Sequence, residues 1–287
     1  MIKNYIFTVT VGRSGQATLY DIVKKYSNNC IAALEEPNIN YYSTGYLRTI
    51  ERLIRRKYFE TDELLGRGRI LDAFVNRNDD YIKEISKKRL IVAKDKAKKS
   101  NANIYFDISK FYARGLHIGF NSILSDFTLI FLYRDPLLNM KSFINRNKNF
   151  LMDNNCPDEE RNILTMSSKG WSQGEFYLWS WSEIYLRFKK ILSSNKVKKS
   201  LIVSSSDLMN PKKVSKILDK LEIKHSKILS IKKMNTNVEV GIQETKIEKK
   251  DIEILEKFIS RLSKEIFQEL FYLKDSLEFH TKNFREK

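Results

Sequence analysis

The chain has 287 residues, of which 42% are hydrophobic and 12% aromatic, and a formal net charge of +17. That length and apolar content suit one large domain or two small ones with a sizeable core, and they exclude global disorder. Two cysteines (Cys30, Cys156) and three scattered histidines (His117, His225, His280) exclude a disulfide framework and a metal cluster. No segment reaches the ~20 apolar residues of a membrane span, and the N-terminus lacks the apolar core of a secretion signal. A soluble cytoplasmic protein with reduced thiols is expected. The positive charge favours an anionic partner (nucleic acid, membrane surface, polyanion or phosphorylated cofactor) without choosing among them. Lys-rich coding alone gives the same surplus.

In chain order, short apolar runs alternate with long helical patterns. Strands are predicted at Tyr5–Val11, Ile31–Leu34, Ile104–Ile108, Thr128–Tyr133 and Ser200–Ser204, rich in the residues of buried parallel strands. Helices are predicted at Ala17–Ser27, Gly45–Phe59, Asp79–Lys99, Pro136–Asn147, Gly174–Leu192 and Pro211–Leu221. One long C-terminal helix is predicted within 249–275, with Ile252, Leu255, Phe258, Ile259, Leu262, Ile266 and Leu270 on one stripe. The alternation predicts a single α/β domain of three layers, α/β/α, with a mostly parallel central sheet. Residues 38–100 and 148–173 exceed what their connections need, and read either as acceptor-side insertions or as surface elaboration.

Two segments carry chemistry. In Thr8–Lys25, TVTVGRSGQATLYDIVKK, a strand breaks at Gly12 and a small polar turn leads into a helix. Such a turn aims backbone N–H groups and the helix dipole at one spot, where an anion is stabilised. The candidate contacts are Gly12, Arg13, Ser14, Gly15, Gln16, Ala17 and Thr18. Arg13 adds a full charge; Ser14 and Thr18 add hydroxyls. The loop lacks the Gly-Lys-Ser/Thr ending of a nucleotide triphosphatase. In the second segment, TLIFLYRDPLLNMKSF, a buried strand ends at Arg134, Asp135 suits an N-cap, and Pro136 suits the first helical turn. Arg134 falls at the C-terminal edge of the sheet, where open α/β folds bind ligands, and Ser142 follows eight residues later.

Together, VGRSGQATL and IFLYRDP…S resemble the sulfotransferases that use 3′-phosphoadenylyl sulfate (PAPS). The resemblance runs in order over roughly residues 5 to 223. It includes an aromatic helix, a strand and the turn Ser206-Asp207-Leu208. It implies the P-loop NTPase-like sulfotransferase fold with helical insertions. It also implies PAPS as co-substrate, adenosine 3′,5′-bisphosphate as product, and no metal. By the same resemblance the first loop holds the 5′-phosphosulfate, with Arg13 facing the leaving phosphate, while Arg134 and Ser142 hold the 3′-phosphate. The chain departs from the family at Gln16 and Ala17, where hydroxyl residues usually stand.

The reaction needs cations at the phosphosulfate and a base for the acceptor. Carbohydrate sulfotransferases have a Glu-Pro after strand two, so Glu36-Pro37 resembles their base, with Glu35 an open alternative. Both carboxylates would equally cap the next helix. The histidine base of cytosolic relatives is missing from IYFDISKFYARGL, where Lys110 remains and would assist the sulfonate. Trp179, Trp181 and Tyr185 suit adenine stacking, but with Leu178 and Phe188 they also suit a core stripe. Ser204, Ser205 and Ser206 stand near the sheet edge. Arg48, Arg52, Arg55 and Arg56 recur at helical spacing, suiting an anionic sugar or glycolipid acceptor or simply a solvated face. The expectation is a sulfotransferase acting on a small molecule or carbohydrate, of bacterial soluble type, without nucleic acid. The alternatives are a nucleotide-binding protein of the same fold without turnover, a P-loop kinase, and a basic nucleic-acid binder.

Overall fold

In the computed structural model the described residues are 2–34, 44–47, 50–51, 54, 69–147, 149–152, 154–234, 241–242 and 245–285. Five strands, β1 (Asn4–Val9), β2 (Cys30–Ala33), β3 (Ile104–Asp107), β4 (Phe127–Tyr133) and β5 (Val197–Ser204), form one sheet in the order β2-β3-β1-β4-β5. Every pairing is parallel. Ile6 of the central strand stands opposite Phe106 on one side and Thr128 on the other. All the strands' C-terminal ends therefore share one edge. From β1 the chain first builds to one side and then crosses to the other, so the crevice beyond β1 is the switch point where such sheets take ligands.

Alternate residues of the strands face two separate cores. Ile6, Phe106, Ile130 and Leu132 pack against α1 (Gln16–Tyr26) and α7 (Pro211–Lys220) through Leu19, Ile22, Val23, Val214 and Leu218. Phe7, Val9, Leu129 and Phe131 pack into the larger core on the opposite face. Helices α2 (Ile70–Val75), α3 (Asp79–Lys99), α4 (His117–Ile123), α5 (Pro136–Ile144) and α6 (Gln173–Leu192) lie among the described residues between these elements. The three-layer α/β arrangement follows from this period-two burial, because a strand covered on both faces needs apolar residues at odd and even positions. Trp179, Trp181 and Tyr185 belong to the larger core, where they pack with Phe131, Phe150 and Phe188. The core stripe is their observed role.

The C-terminal stripe expected within 249–275 is broken into three helices: α8 (Lys249–Ile259), α9 (Lys264–Glu269) and α10 (Phe271–Arg285). The break has a local cause. Ser263 leaves the helical conformation and accepts a hydrogen bond from the Ile266 N–H, starting a new helix. Chain reversal then lets α8 and α10 cover α5 and α6. Of the helix expected over Gly45–Phe59, the described residues 45–47, 50–51 and 54 are helical.

The described part of 148–173 is fastened down. The Glu183 carboxylate accepts the Ile163 and Leu164 N–H groups, and Trp179 Nε1 donates to the Leu164 carbonyl at 2.7 Å. Arg114, buried, donates both to Asn154 Oδ1 (2.9 Å) and to the Val11 carbonyl (2.8 Å). That guanidinium ties the segment to the last residue before Gly12.

Candidate anion-binding site

The turn after β1 is held in backbone conformations that favour glycine. Gly12 has φ +98° and Gly15 φ +93°, and between them Arg13 sits at φ +54°. A side chain at Gly15 would also press on Leu208, whose Cδ1 lies 3.1 Å from the position of a Cβ. Arg13 has no such freedom, and a left-handed non-glycine residue costs about 1–2 kcal/mol. Strain of this kind collects at functional turns when the surroundings fix it.

The N-cap of α1 is Gly15, which has no side chain to accept from the first N–H groups of the helix, and the residues of its first turn include no carboxylate. By contrast α3 carries Asp79 and Asp80 in its first turn, with Asn78 as its cap. The positive end of the α1 dipole therefore faces the turn uncompensated by its own first-turn residues, an arrangement that suits an anion.

The opposing wall is α5. Asp135 caps it, accepting the Leu138 N–H at 2.9 Å, with Pro136 in its first turn. Asn139 and Ser142 follow three residues apart on one face of α5, and Arg146 lies in the turn just past its end, where its N–H donates to the Phe143 carbonyl. Asn139 Nδ2 donates to the Gly12 carbonyl (2.8 Å) and to Ser14 Oγ (3.3 Å). Arg13 Nε donates to Ser142 Oγ at 3.3 Å. The two segments that carry the resemblance, 129 residues apart at this contact, therefore meet side chain to side chain. Asn139 is fully buried. Asn139→Ala removes the shorter of the two bonds to the Gly12 carbonyl, leaving Ser14 Oγ at 3.1 Å as its donor, with an expected cost of about 0.5–1.5 kcal/mol; a denaturant titration of the variant reads it directly.

Positive charge converges here. Burial, then repulsion from Arg146 and from Arg134, lowers the Arg13 guanidinium to about 10. Burial likewise lowers Arg134, with Asp135 working in the opposite direction, and burial lowers Arg146. All three remain charged at neutral pH, so a bound anion relieves their repulsion. Lys110, just past β3, lies on the other flank of the loop, its Cδ 3.8 Å from the position of a Gly12 Cβ.

Arg134 is fixed from two sides. Its carbonyl accepts Trp181 Nε1 at 3.0 Å, and its neighbour Asp135 lies 3.1 Å from His280 Nε2. Burial tends to raise the Asp135 carboxyl, but hydrogen bonds from His280, the Leu138 N–H and Ser276 outweigh it and hold the group below the usual aspartate range.

Several candidate side chains serve the scaffold. Ser14 Oγ donates to the Gly12 carbonyl, Gln16 Nε2 donates to the Ile108 carbonyl, and Thr18 Oγ1 accepts the Met234 N–H. Ala17 sits in the first turn of α1. Ser204 and Ser206 hydroxyls bond one another, and Asp207 accepts from the Ser204 N–H and from Lys213. Glu35, Glu36, Arg48, Arg52, Arg55 and Arg56 lie outside the described residues.

Asn139, Arg146, Arg114 and His280 were missed by the sequence reading. The first two share the helical spacing of Ser142, which was signal enough to find them. The other two reach the site from distant elements and left no local trace. No family model matches this chain, and no curated protein matches its sequence.

Proposed function

We propose that this protein is a PAPS-dependent sulfotransferase built on a P-loop NTPase-like fold, acting in the cytoplasm on a hydroxyl or amine of a carbohydrate or other small acceptor. The observation that carries the reading is the Arg13–Ser142 contact. It brings the strand-turn-helix loop and the Arg134 segment into one cationic crevice at the switch point of a parallel sheet. A ligand with two separate phosphate groups suits that arrangement, and PAPS is such a ligand.

In the reaction an acceptor oxygen attacks the sulfur, the bond from sulfur to the 5′-phosphate oxygen breaks, and adenosine 3′,5′-bisphosphate leaves. The acceptor proton passes to a carboxylate, for which the resemblance nominates Glu36. Charge grows on the leaving phosphate, where the α1 N-terminus and the nearby cations stabilise it.

Calorimetry tests this: the protein binds adenosine 3′,5′-bisphosphate and gains no affinity from ATP with Mg²⁺. A preference for ATP–Mg²⁺ makes the protein a kinase or ATPase instead. A second reading is a nucleotide-binding protein without turnover. Gln16 and Thr18 favour it: Gln16 stands where the family keeps a hydroxyl and is bonded to the Ile108 carbonyl, and Thr18, the nearest hydroxyl, already accepts the Met234 N–H. Transfer of label from [³⁵S]PAPS to an acceptor panel separates the two.

A further inference from the structure

The positive charge is unevenly spread along the chain. Residues 196–233 hold eleven lysines against three acids, whereas the equally long stretch 248–285 holds eight cations and eight acids. Coding bias alone does not make that difference. Folding then gathers the surplus on one side of the sheet. α1, α7 and the segment after α7 all pack on the smaller core, with Ile228 and Ile231 holding the segment down. The segment runs back along α1: the Ser226 N–H donates to the Tyr26 carbonyl, and Tyr26 Oη donates to the Ser230 carbonyl at 2.7 Å. On α7, Val214 and Leu218 are buried, while Lys212, Lys216 and Lys220 stand exposed at spacings of four on the opposite side. Like charges so spaced weaken a helix. Lys227, Lys232 and Lys233 are exposed on the segment, and Lys24 and Lys25 at the end of α1. The three acids of 196–233 are already engaged: Glu222 with Lys199 and Asp207 with Lys213, both at 2.6 Å, and Asp219 with His225 at 3.2 Å. Among these lysines Leu229 stands 74% exposed.

We propose that this face docks onto an anionic lipid bilayer, with the α7 stripe and the segment's lysines over the headgroups and Leu229 entering the interface. Charge complementarity carries the choice of an anionic partner, and the residue types carry the choice of a membrane. Between Phe188 and Phe258 the sequence has neither an arginine nor an aromatic residue. The forked guanidiniums that read bases and phosphates, and the rings on which bases stack, are therefore both missing from the segment. A lysine ammonium is a hydrated point charge, suited to a diffuse field of headgroups, and each one near an anionic surface adds its own attraction. An outward leucine gains nothing from a phosphate backbone but gains by leaving water at the acyl boundary. The protein then sits on the bilayer without spanning it. This docking is independent of which nucleotide the crevice takes.

The test is sedimentation of the full chain with sucrose-loaded vesicles of phosphatidylcholine, alone or with about 30% phosphatidylserine. Binding is expected to the phosphatidylserine vesicles only, and is expected to fall by about tenfold or more between about 0.1 and 0.5 M salt as screening shortens the field. The triple variant Lys212→Gln, Lys216→Gln, Lys220→Gln is expected to lose about a hundredfold in vesicle affinity, and Leu229→Ser about tenfold. A control triple variant on the C-terminal helices, Lys249→Gln, Lys264→Gln, Lys274→Gln, changes the net charge equally and is expected to stay within about twofold of wild type. Thermal unfolding confirms that each variant keeps the fold. No binding to phosphatidylserine vesicles overturns the proposal, and so does equal loss in the two triple variants, which makes net charge alone the cause. Unchanged affinity in Leu229→Ser removes the leucine from the contact. A DNA duplex of about 20 base pairs that binds more tightly than the vesicles, and loses affinity in the α7 variant, assigns the face to nucleic acid instead.

Discussion

Arg134→Ala weakens binding of adenosine 3′,5′-bisphosphate by about 1.5–3 kcal/mol, the value of a hydrogen bond to a charged group. The effect is large because the guanidinium is half-buried and the backbone that carries it is held in place before any ligand arrives. Its carbonyl is bonded to Trp181 in the core, and the adjacent Asp135 is clasped between its own helix and His280. A backbone already in place leaves only the side chain to be ordered on binding, which lowers the entropy cost of the contact. Calorimetry on the variant checks this, with thermal unfolding to confirm that the loop still folds. Unchanged affinity removes Arg134 from the subsite.

Glu183→Ala destabilises the fold by about 3–5 kcal/mol, as expected when one partner of a buried ion pair is removed. Glu183 and Arg187 lie one turn apart on α6, 2.6 Å from each other, and both are nearly inaccessible. The carboxylate also accepts the N–H groups of Ile163 and Leu164, while Arg187 donates to the Ala113 carbonyl and Asn162 and packs over the Phe74 ring. Truncation strands a buried guanidinium and two backbone donors together. Replacing both residues with methionine recovers part of the loss, because an apolar pair of similar volume removes the stranded charge. Urea titrations of the single and double variants measure both effects. A single variant within about 1 kcal/mol of wild type shows that water or another group already satisfies Arg187.

The strands were legible because a parallel sheet covered on both faces leaves a largely apolar run such as Tyr5–Val11, with boundaries misplaced by up to three residues, as at Val197. Asp79–Lys99 was legible to its ends because Asn78 caps it and lysines close it. The C-terminal region was read as one helix because its apolar stripe keeps the helical period across Ser260–Ser263, and periodicity reports no chain reversal. Ser263, a good N-cap residue before a new helical turn, was the available warning. Within the site, Gly12–Gly15, Arg134 and Ser142 were legible as local patterns. The contact between Arg13 and Ser142 was not, since it depends on a helix that begins more than a hundred residues later.

The placement of β1 has a consequence for how the protein comes off the ribosome. Its two partners, β3 and β4, begin at Ile104 and Phe127, and β2 reaches the sheet only through β3. The first hundred residues, anion turn included, thus emerge with no strand to pair with, and nearly every sheet contact must close a long loop. A further anchor of the Arg134 turn, His280, lies 145 residues beyond its partner Asp135. A nascent chain of this kind keeps its central apolar strand unpaired until β3 and β4 have been made, and an unpaired apolar strand is the kind of surface through which partly folded chains aggregate.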